Sequence, residues 1–240
     1  AYKVDGNSKI RSSYGTGLRY PTLYDYFYGT VVSKKEDLAP EKSKSFDIGY
    51  ETTFDQINTD LILSIYKINY KDALEGWQSN GWKVKNTSAE IESKGVEIEG
   101  VYKKSKNFNL SFNYNYSDTH DGADCDDPNV GSGSCIDESM VRVPRHSSNI
   151  SLYFNTKNNF KNILSLKYSG EVRDYGNANN SFKDVILDDY FLANYNLKYD
   201  LFNNSVLYMD INNIFNNNYE QAWMYSSMER NINIGFKKNY

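Results

Sequence analysis

No stretch of this sequence approaches the ~18 to 20 consecutive apolar residues that a membrane-spanning helix requires, and this excludes every helical membrane protein. A membrane β-barrel is not excluded, because its strands place apolar side chains only at every second position and escape a window average. Positive charge is also in short supply: 27 Lys and Arg against 31 Asp and Glu give a formal charge of -4. Such a chain has no broad basic surface to neutralise phosphates, so a general nucleic-acid binder is disfavoured. Histidine is rarer still. His120 and His146 are the only two, neither stands in a motif with a Ser or Cys nucleophile, and we expect no enzyme. The opening residues Ala1-Tyr2-Lys3-Val4-Asp5 lack the basic and apolar regions of a secretory signal, which is therefore missing or lies outside this chain.

What the sequence does hold is tyrosine, 22 residues against 12 Phe, in a chain only 39% hydrophobic and with a mean hydropathy of -0.71. Disordered chains are poor in aromatics, so disorder is disfavoured. Reading for period two yields strands and hardly a helix. Phe46, Ile48, Tyr50, Thr52 and Phe54 alternate with Asp47, Gly49, Glu51 and Thr53, and Phe108, Leu110, Phe112, Tyr114 and Tyr116 alternate with Asn109, Ser111, Asn113 and Asn115. The rhythm returns at residues 150–154, 164–168, 191–199 and 232–236, with weaker strands around 10–18, 61–70, 96–102 and 206–211. About ten strands result, each near the length that crosses a bilayer obliquely.

Their connections alternate in length. Short links fall at 55–58, 103–107, 156–161 and 200–204, long ones at 19–44, 72–85, 118–141, 173–185 and 212–227. Tight periplasmic turns at one rim and extended extracellular loops at the other are the mark of an up-and-down outer-membrane barrel, and a soluble Greek-key sandwich has no reason to sort its loops this way. The polar faces carry Asn, Ser, Asp, Glu and Lys, as a wet lumen requires, and tyrosines crowd toward strand ends, as at Tyr114, Tyr116 and Tyr199, where an amphipathic ring suits the headgroup layer. The expected fold class is all-β, an antiparallel up-and-down transmembrane β-barrel.

Residues 14–25, 38–43, 86–97, 143–147 and 210–220, taken in order, resemble segments of the TonB-dependent receptors of the bacterial outer membrane, and within them the vitamin B12 (cobalamin) transporters. Residues 14–25, YGTGLRYPTLYD, are similar to the family's G-x-x-x-(K/R)-x-P-x-L-x-(E/D)-L-Y stretch, and 38–43, LAPEKS, to its N-L-x-P-E-K-S segment. Residues 86–97, NTSAEIESKGVE, resemble the strand N-x-x-x-A-x-I-x-G-x-E, and 143–147, VPRHS, the R-(R/V)-P-R-H-S of cobalamin-transporter-like members. Residues 210–220, DINNIFNNNYE, resemble N-L-F-D-K-x-Y-E, and Glu229-Arg230 stands where G-R precedes the last strand. That strand looks like the C-terminal β-signal read by the barrel assembly machinery, with Ile232, Ile234, Phe236 and Tyr240 on one face; Lys238 departs from the pattern.

The resemblance implies a barrel of 22 strands with a plugged lumen, of which residues 1–240 supply about ten, as the C-terminal part of the barrel domain, with the plug and its TonB box absent. Two open edges in hydrocarbon are not tolerated, so we read the chain as partial. It further implies an outer-membrane active transport receptor that binds a scarce, bulky nutrient on its extracellular loops, cobalamin first, and imports it with energy from the TonB complex acting through the plug. A siderophore or haem receptor of the same superfamily is the alternative; a self-contained barrel enzyme or pore is the alternative from another class. The implied surroundings are outer-membrane lipid, the assembly machinery and a small-molecule nutrient, with no nucleic acid.

Candidate ligand contacts are loop aromatics: Tyr24, Tyr26, Phe27 and Tyr28 in the first long loop, Trp77 and Trp82 in the second, large flat surfaces with polar tips. They also suit packing of loop on loop or an interfacial girdle. Cys125 and Cys135, an even pair in the longest polar loop, are expected to form a disulfide, since exported loops are oxidised. No cofactor is expected. Calcium is implied by the resemblance for loops outside this chain, whereas Asp121, Asp124, Asp126 and Asp127 do not match the regular calcium loop and read as a solvated loop.

Overall fold

The computed structural model describes residues 1–27, 38–78, 82–86, 90–121, 138–157, 159–178, 181–202 and 204–238. The chain runs through β1 (Tyr2–Lys3), β2 (Ser8–Arg19), a short helix α1 (Leu23–Phe27), β3 (Glu41–Phe54), β4 (Thr59–Lys71), β5 (Leu74–Gln78), β6 (Trp82–Asn86), β7 (Ile91–Ser105) and β8 (Phe108–Asp121). It continues with β9 (Glu138–Ser139), β10 (His146–Lys157), β11 (Phe160–Ser169), β12 (Val172–Ala178), β13 (Ser181–Leu187), β14 (Tyr190–Asp200), β15 (Ser205–Asn212) and β16 (Asn231–Lys238).

Ten long strands lie side by side in chain order, β2-β3-β4-β7-β8-β10-β11-β14-β15-β16, and each is antiparallel to the one before. Two to four residues separate β3 from β4, β7 from β8, β10 from β11 and β14 from β15, all at one rim. In these tight turns Asn58 and Asn204 take left-handed backbone (φ 48° and 53°), which asparagine tolerates better than most residues. The five connections at the other rim run from 18 residues (213–230) to 24 (122–145). Two long links read as plain loops from the sequence carry structure of their own: β5–β6 and β12–β13 are antiparallel hairpins off the main sheet.

Registers give the sheet two continuous faces. Tyr50, Leu63, Ile98 and Tyr114 lie in one row, and Leu110, Leu152, Leu164, Tyr195, Ile211 and Ile232 in another, all on the same side. This apolar side is uncovered: Phe46 is 50% exposed, Ile65 52% and Ile234 70%. Among the described residues the buried apolar side chains are few, Leu38, Ala73, Val84, Leu187, Leu192 and Ala193, so the sheet has no core of its own in water. Burying such a Leu, Ile or Phe is worth roughly 1.5–3 kcal/mol, and only a hydrocarbon surround supplies that here.

The opposite face is polar and laced with pairs. Arg11 meets Glu51 at 2.9 Å and Asp47 at 3.6 Å, and Lys9 meets Glu51 at 2.8 Å. Further round, amides pair across strands: the Asn149 amide donates to Asn113 Oδ1 (3.1 Å) and that of Asn212 to Asn231 Oδ1 (3.0 Å). Gly95 is required on this wall, because a Cβ there would lie 2.6 Å from the Tyr66 ring and collide with the Tyr116 carbonyl. At the long-loop rim the strands outlast the alternation. β3 begins at Glu41, five residues before Phe46, and β8 runs to Asp121, five beyond Tyr116. Above the hydrocarbon both faces are wet, so pairing persists after the two-faced pattern stops.

Candidate functional site

All five long connections leave the same rim, and buried polar contacts fix how they stand there. In the first, Thr22 caps α1: its N–H and Oγ1 both donate to Asp25 Oδ2 at 2.7 Å, and the Asp25 N–H donates back to Thr22 Oγ1 at 3.3 Å. Asp25 is buried; burial pushes its carboxyl up, but the bonds from Thr22 and the charge of Arg19 outweigh this and hold it below the usual carboxylate range. Arg19 reaches Asp25 at 3.4 Å and Glu41 at 2.8 Å, and Glu41 Oε1 also accepts the Leu74 N–H at 2.7 Å. The Asn86 amide donates to the Ala39 carbonyl (2.9 Å) while its Oδ1 accepts the Ala39 N–H (2.7 Å). The first and second long loops are thus tied through residues of the 38–43 hexapeptide.

The expected aromatics fall around this knot. Tyr24 and Phe27 are 68% and 65% exposed, and Tyr26 is half-buried. Trp77 and Trp82 sit in the β5–β6 hairpin, with backbone pairs Trp77 to Lys83 and Gln78 to Trp82. α1 lies against β6, so the two aromatic groups, 50 residues apart in sequence, share one corner of the rim. Tyr28 lies outside the described residues, as do Cys125, Cys135, Asp124, Asp126, Asp127 and Tyr240. Ile232, Ile234 and Phe236 occupy β16 on the apolar face, opposite Ile211, Met209 and Leu207.

A second knot carries no sequence signal. Asp174 of β12 has no exposed surface; its Oδ1 accepts Arg142 Nε at 3.0 Å and its Oδ2 accepts the Trp223 N–H at 2.7 Å. The Arg142 N–H donates to the Arg173 carbonyl at 2.8 Å. One carboxylate therefore joins the β8–β10 connection, the β12–β13 hairpin and the β15–β16 connection. It also raises the already high pKa of Arg142 through the shared hydrogen bond. In the last connection Asn213 is the pivot: buried and left-handed (φ 51°), it donates to the Asn217 carbonyl and accepts the Asn217 N–H at 3.0 Å.

Beneath the Asp174 knot, on the polar face, a cavity of about 360 Å³ opens between Arg142, Ser147, Asn149, Lys167, Tyr190 and Gln221, with Asp188 and Glu220 at its margin. The Lys167 ammonium stands 5.7 Å over the Tyr190 ring, which packs on Tyr219 at 4.7 Å. Gln221 donates to the Tyr190 hydroxyl at 3.3 Å. Such a lining offers charges of both signs, amides and a flat aromatic wall to a polyfunctional ligand. Among the described residues no three His, Cys, Asp or Glu side chains gather where they could hold a metal ion.

A family model described as TonB dependent receptor-like, beta-barrel matches residues 1–214. The FrpB iron transporter of Neisseria meningitidis is structurally similar, with a TM-score of 0.75 at 14% identity over 98% of this chain and 37% of its own. The pyoverdine receptor FpvA of Pseudomonas aeruginosa gives 0.75 at 12% identity, over 100% and 35%. The copper transporter OprC gives 0.73 at 15%, over 95% and 36%. The chain spans a little over a third of each of these proteins. Comparison by sequence with curated proteins gave no match.

Proposed function

This chain belongs to the TonB dependent receptor-like β-barrel family, and from that premise we propose that it forms the C-terminal part of the barrel of an active import receptor. It is an antiparallel barrel wall of the bacterial outer membrane, in a family of transporters and receptors rather than enzymes. In this reading the extracellular loops capture a scarce, bulky nutrient, and TonB acting through a plug outside this chain supplies the energy. Lipid surrounds the apolar face, and the assembly machinery reads the last strand, Ile232, Ile234, Phe236 and Tyr240.

The observation that carries the reading is the cavity lined by residues of three long connections, Arg142, Asp188 and Gln221 among them, and by Asn149 and Lys167 of the polar wall. Arg142, Lys167 and Tyr190 suit a ligand with acidic groups and a flat body, and the aromatics of α1 and β5–β6 offer a second contact across the rim. Cobalamin remains the first candidate on the segment at 143–147, which resembles that of cobalamin-transporter-like members. A ferric siderophore is the second, favoured by the solved relatives, which include an iron transporter and a pyoverdine receptor. The full-length receptor in outer membranes should bind cyanocobalamin or a ferric siderophore with submicromolar affinity and import it only while TonB is energised. Failure to bind either, or uptake that is indifferent to TonB, overturns the proposal.

A further inference from the structure

The cavity of about 360 Å³ is lined by charges of both signs, and these are sorted by element. Its bases come from the β10 and β11 part of the sheet: Arg142 in the connection that enters β10, and Lys167 on β11. Its carboxylates come from the β14 to β16 part: Asp188 at the entry to β14, and Glu220 in the connection that enters β16. Among the described residues no ion pair joins the two sets. Arg142 pairs there with Asp174 alone, through Nε, which leaves its two terminal nitrogens without a protein acceptor; Lys167, Asp188 and Glu220 have no ion-pair partner among the same residues. Two cations and two carboxylates therefore share one cavity without meeting.

Opposite charges on one wall gain by closing on each other, since a charge-assisted hydrogen bond is roughly twice as strong as a neutral one. Here each is held elsewhere. Arg142 is tied to the fully buried Asp174, Lys167 stands over the Tyr190 ring, and a backbone bridge from Glu220 to Ser226 fixes the last connection. A purely anionic guest would meet Asp188 and Glu220, and a purely cationic one would meet Arg142 and Lys167; each is opposed by like charge. A guest with both signs is opposed by neither. We propose that this cavity receives a dipolar end of the nutrient, a carboxylate against Arg142 and Lys167 and an ammonium or guanidinium against Asp188 and Glu220. The volume agrees, because it lies near the lower end of the roughly 300–1,000 Å³ that small-molecule sites span and admits one end of a bulky ligand rather than the whole. Asp188 and Glu220 also line a second cavity, of about 550 Å³, where Asp189, Glu229, Tyr219 and Trp223 join them and no base does. A long basic group has room to extend there. The proposal rests on the import reading and deepens it by naming the chemical class of the ligand's end.

The test is equilibrium dialysis of purified full-length receptor in detergent against three forms of one ferric trihydroxamate siderophore. The first ends in a free α-amino acid, the second has that amine acetylated, and the third has that carboxylate amidated; cyanocobalamin is the fourth probe. Wild type should hold the free form about tenfold or more tightly than either capped form. Lys167→Gln should lose most of the preference over the amidated form and keep that over the acetylated one. Asp188→Asn with Glu220→Gln should do the reverse. Arg142 is left in place, because its removal would strand the buried Asp174 carboxylate. Equal affinity for the three forms, or discrimination unchanged in either variant, overturns the proposal. So does a loss on one cap matched by a gain on the other, which a bare preference for net charge would give. Retention of cyanocobalamin with none of the three forms overturns it too, while the import reading stands; retention of no probe at all overturns both.

Discussion

A carboxylate without exposed surface, such as Asp174, is stable in its charged form only while its lone pairs are answered. Here the answers come from two separate loops, through Arg142 and the Trp223 N–H. Asp174→Ala should therefore loosen residues 138–145 and 213–230 together, at a cost of about 1–3 kcal/mol to the rim. Hydrogen exchange should rise in both segments while the barrel strands stay protected; loosening of one alone would show that the knot is not shared. Asp25 makes a different prediction, because its carboxyl is held below the usual range. The α1 cap is then fully present above the unfolded aspartate value of about 3.9 and is lost as pH falls through the lower folded one. Amide protection across residues 22–27, corrected for intrinsic rates, should hold from pH 7 to 5 and decay only below about 4, and Asp25→Asn should remove it at every pH. Asp25 falls at the acidic position of the 14–25 stretch that resembles the family, but its cap on α1 was not read from the sequence, which showed a long loop there. Asp174 was not legible either, since its partners lie 32 and 49 residues away.

At the scale of the strand, alternation decides what each position tolerates. Leu152 faces Leu110 and Leu164 in the middle of the apolar side, and Ser151 faces Ser111 and Ser165 on the polar one. Leu152→Arg should cost roughly 2–4 kcal/mol, the penalty for a cation at the bilayer midplane, whereas Ser151→Arg, one residue away, should cost far less. Folding of the full-length receptor into vesicles against urea would measure both, and similar penalties would contradict the two-faced wall. From Phe108 to Tyr116 the apolar row covers roughly 27 Å along β8, or about 20 Å after the usual tilt, close to the height of an outer-membrane apolar band. The central parts of all ten strands were legible because lipid and water impose period two on them. Their extensions toward the long loops, and the β5–β6 and β12–β13 hairpins, were not, because with water on both faces no alternation is enforced.

For the molecule as a whole, the sheet ends in two unsatisfied edges. β1 covers only two residues of β2, and among the described residues nothing pairs with the far side of β16. Ten strands with open edges in hydrocarbon are costly. Residues 1–240 expressed alone should consequently aggregate in detergent and show no heat-resistant compact band on electrophoresis, while the complete receptor should show one; a compact, monodisperse product from the 240 residues would argue for a self-contained barrel.

The sequence by itself determined that the chain is a β wall with one greasy and one wet face, how many strands cross, and which rim bears the long loops. Each of these is written in nearest-neighbour chemistry, where a side chain meets either lipid or water. Only the tertiary structure decided which loops stand together, because the contacts that join them, Arg19 with Glu41, Asn86 with Ala39 and Arg142 with Asp174, link residues 22 to 47 positions apart.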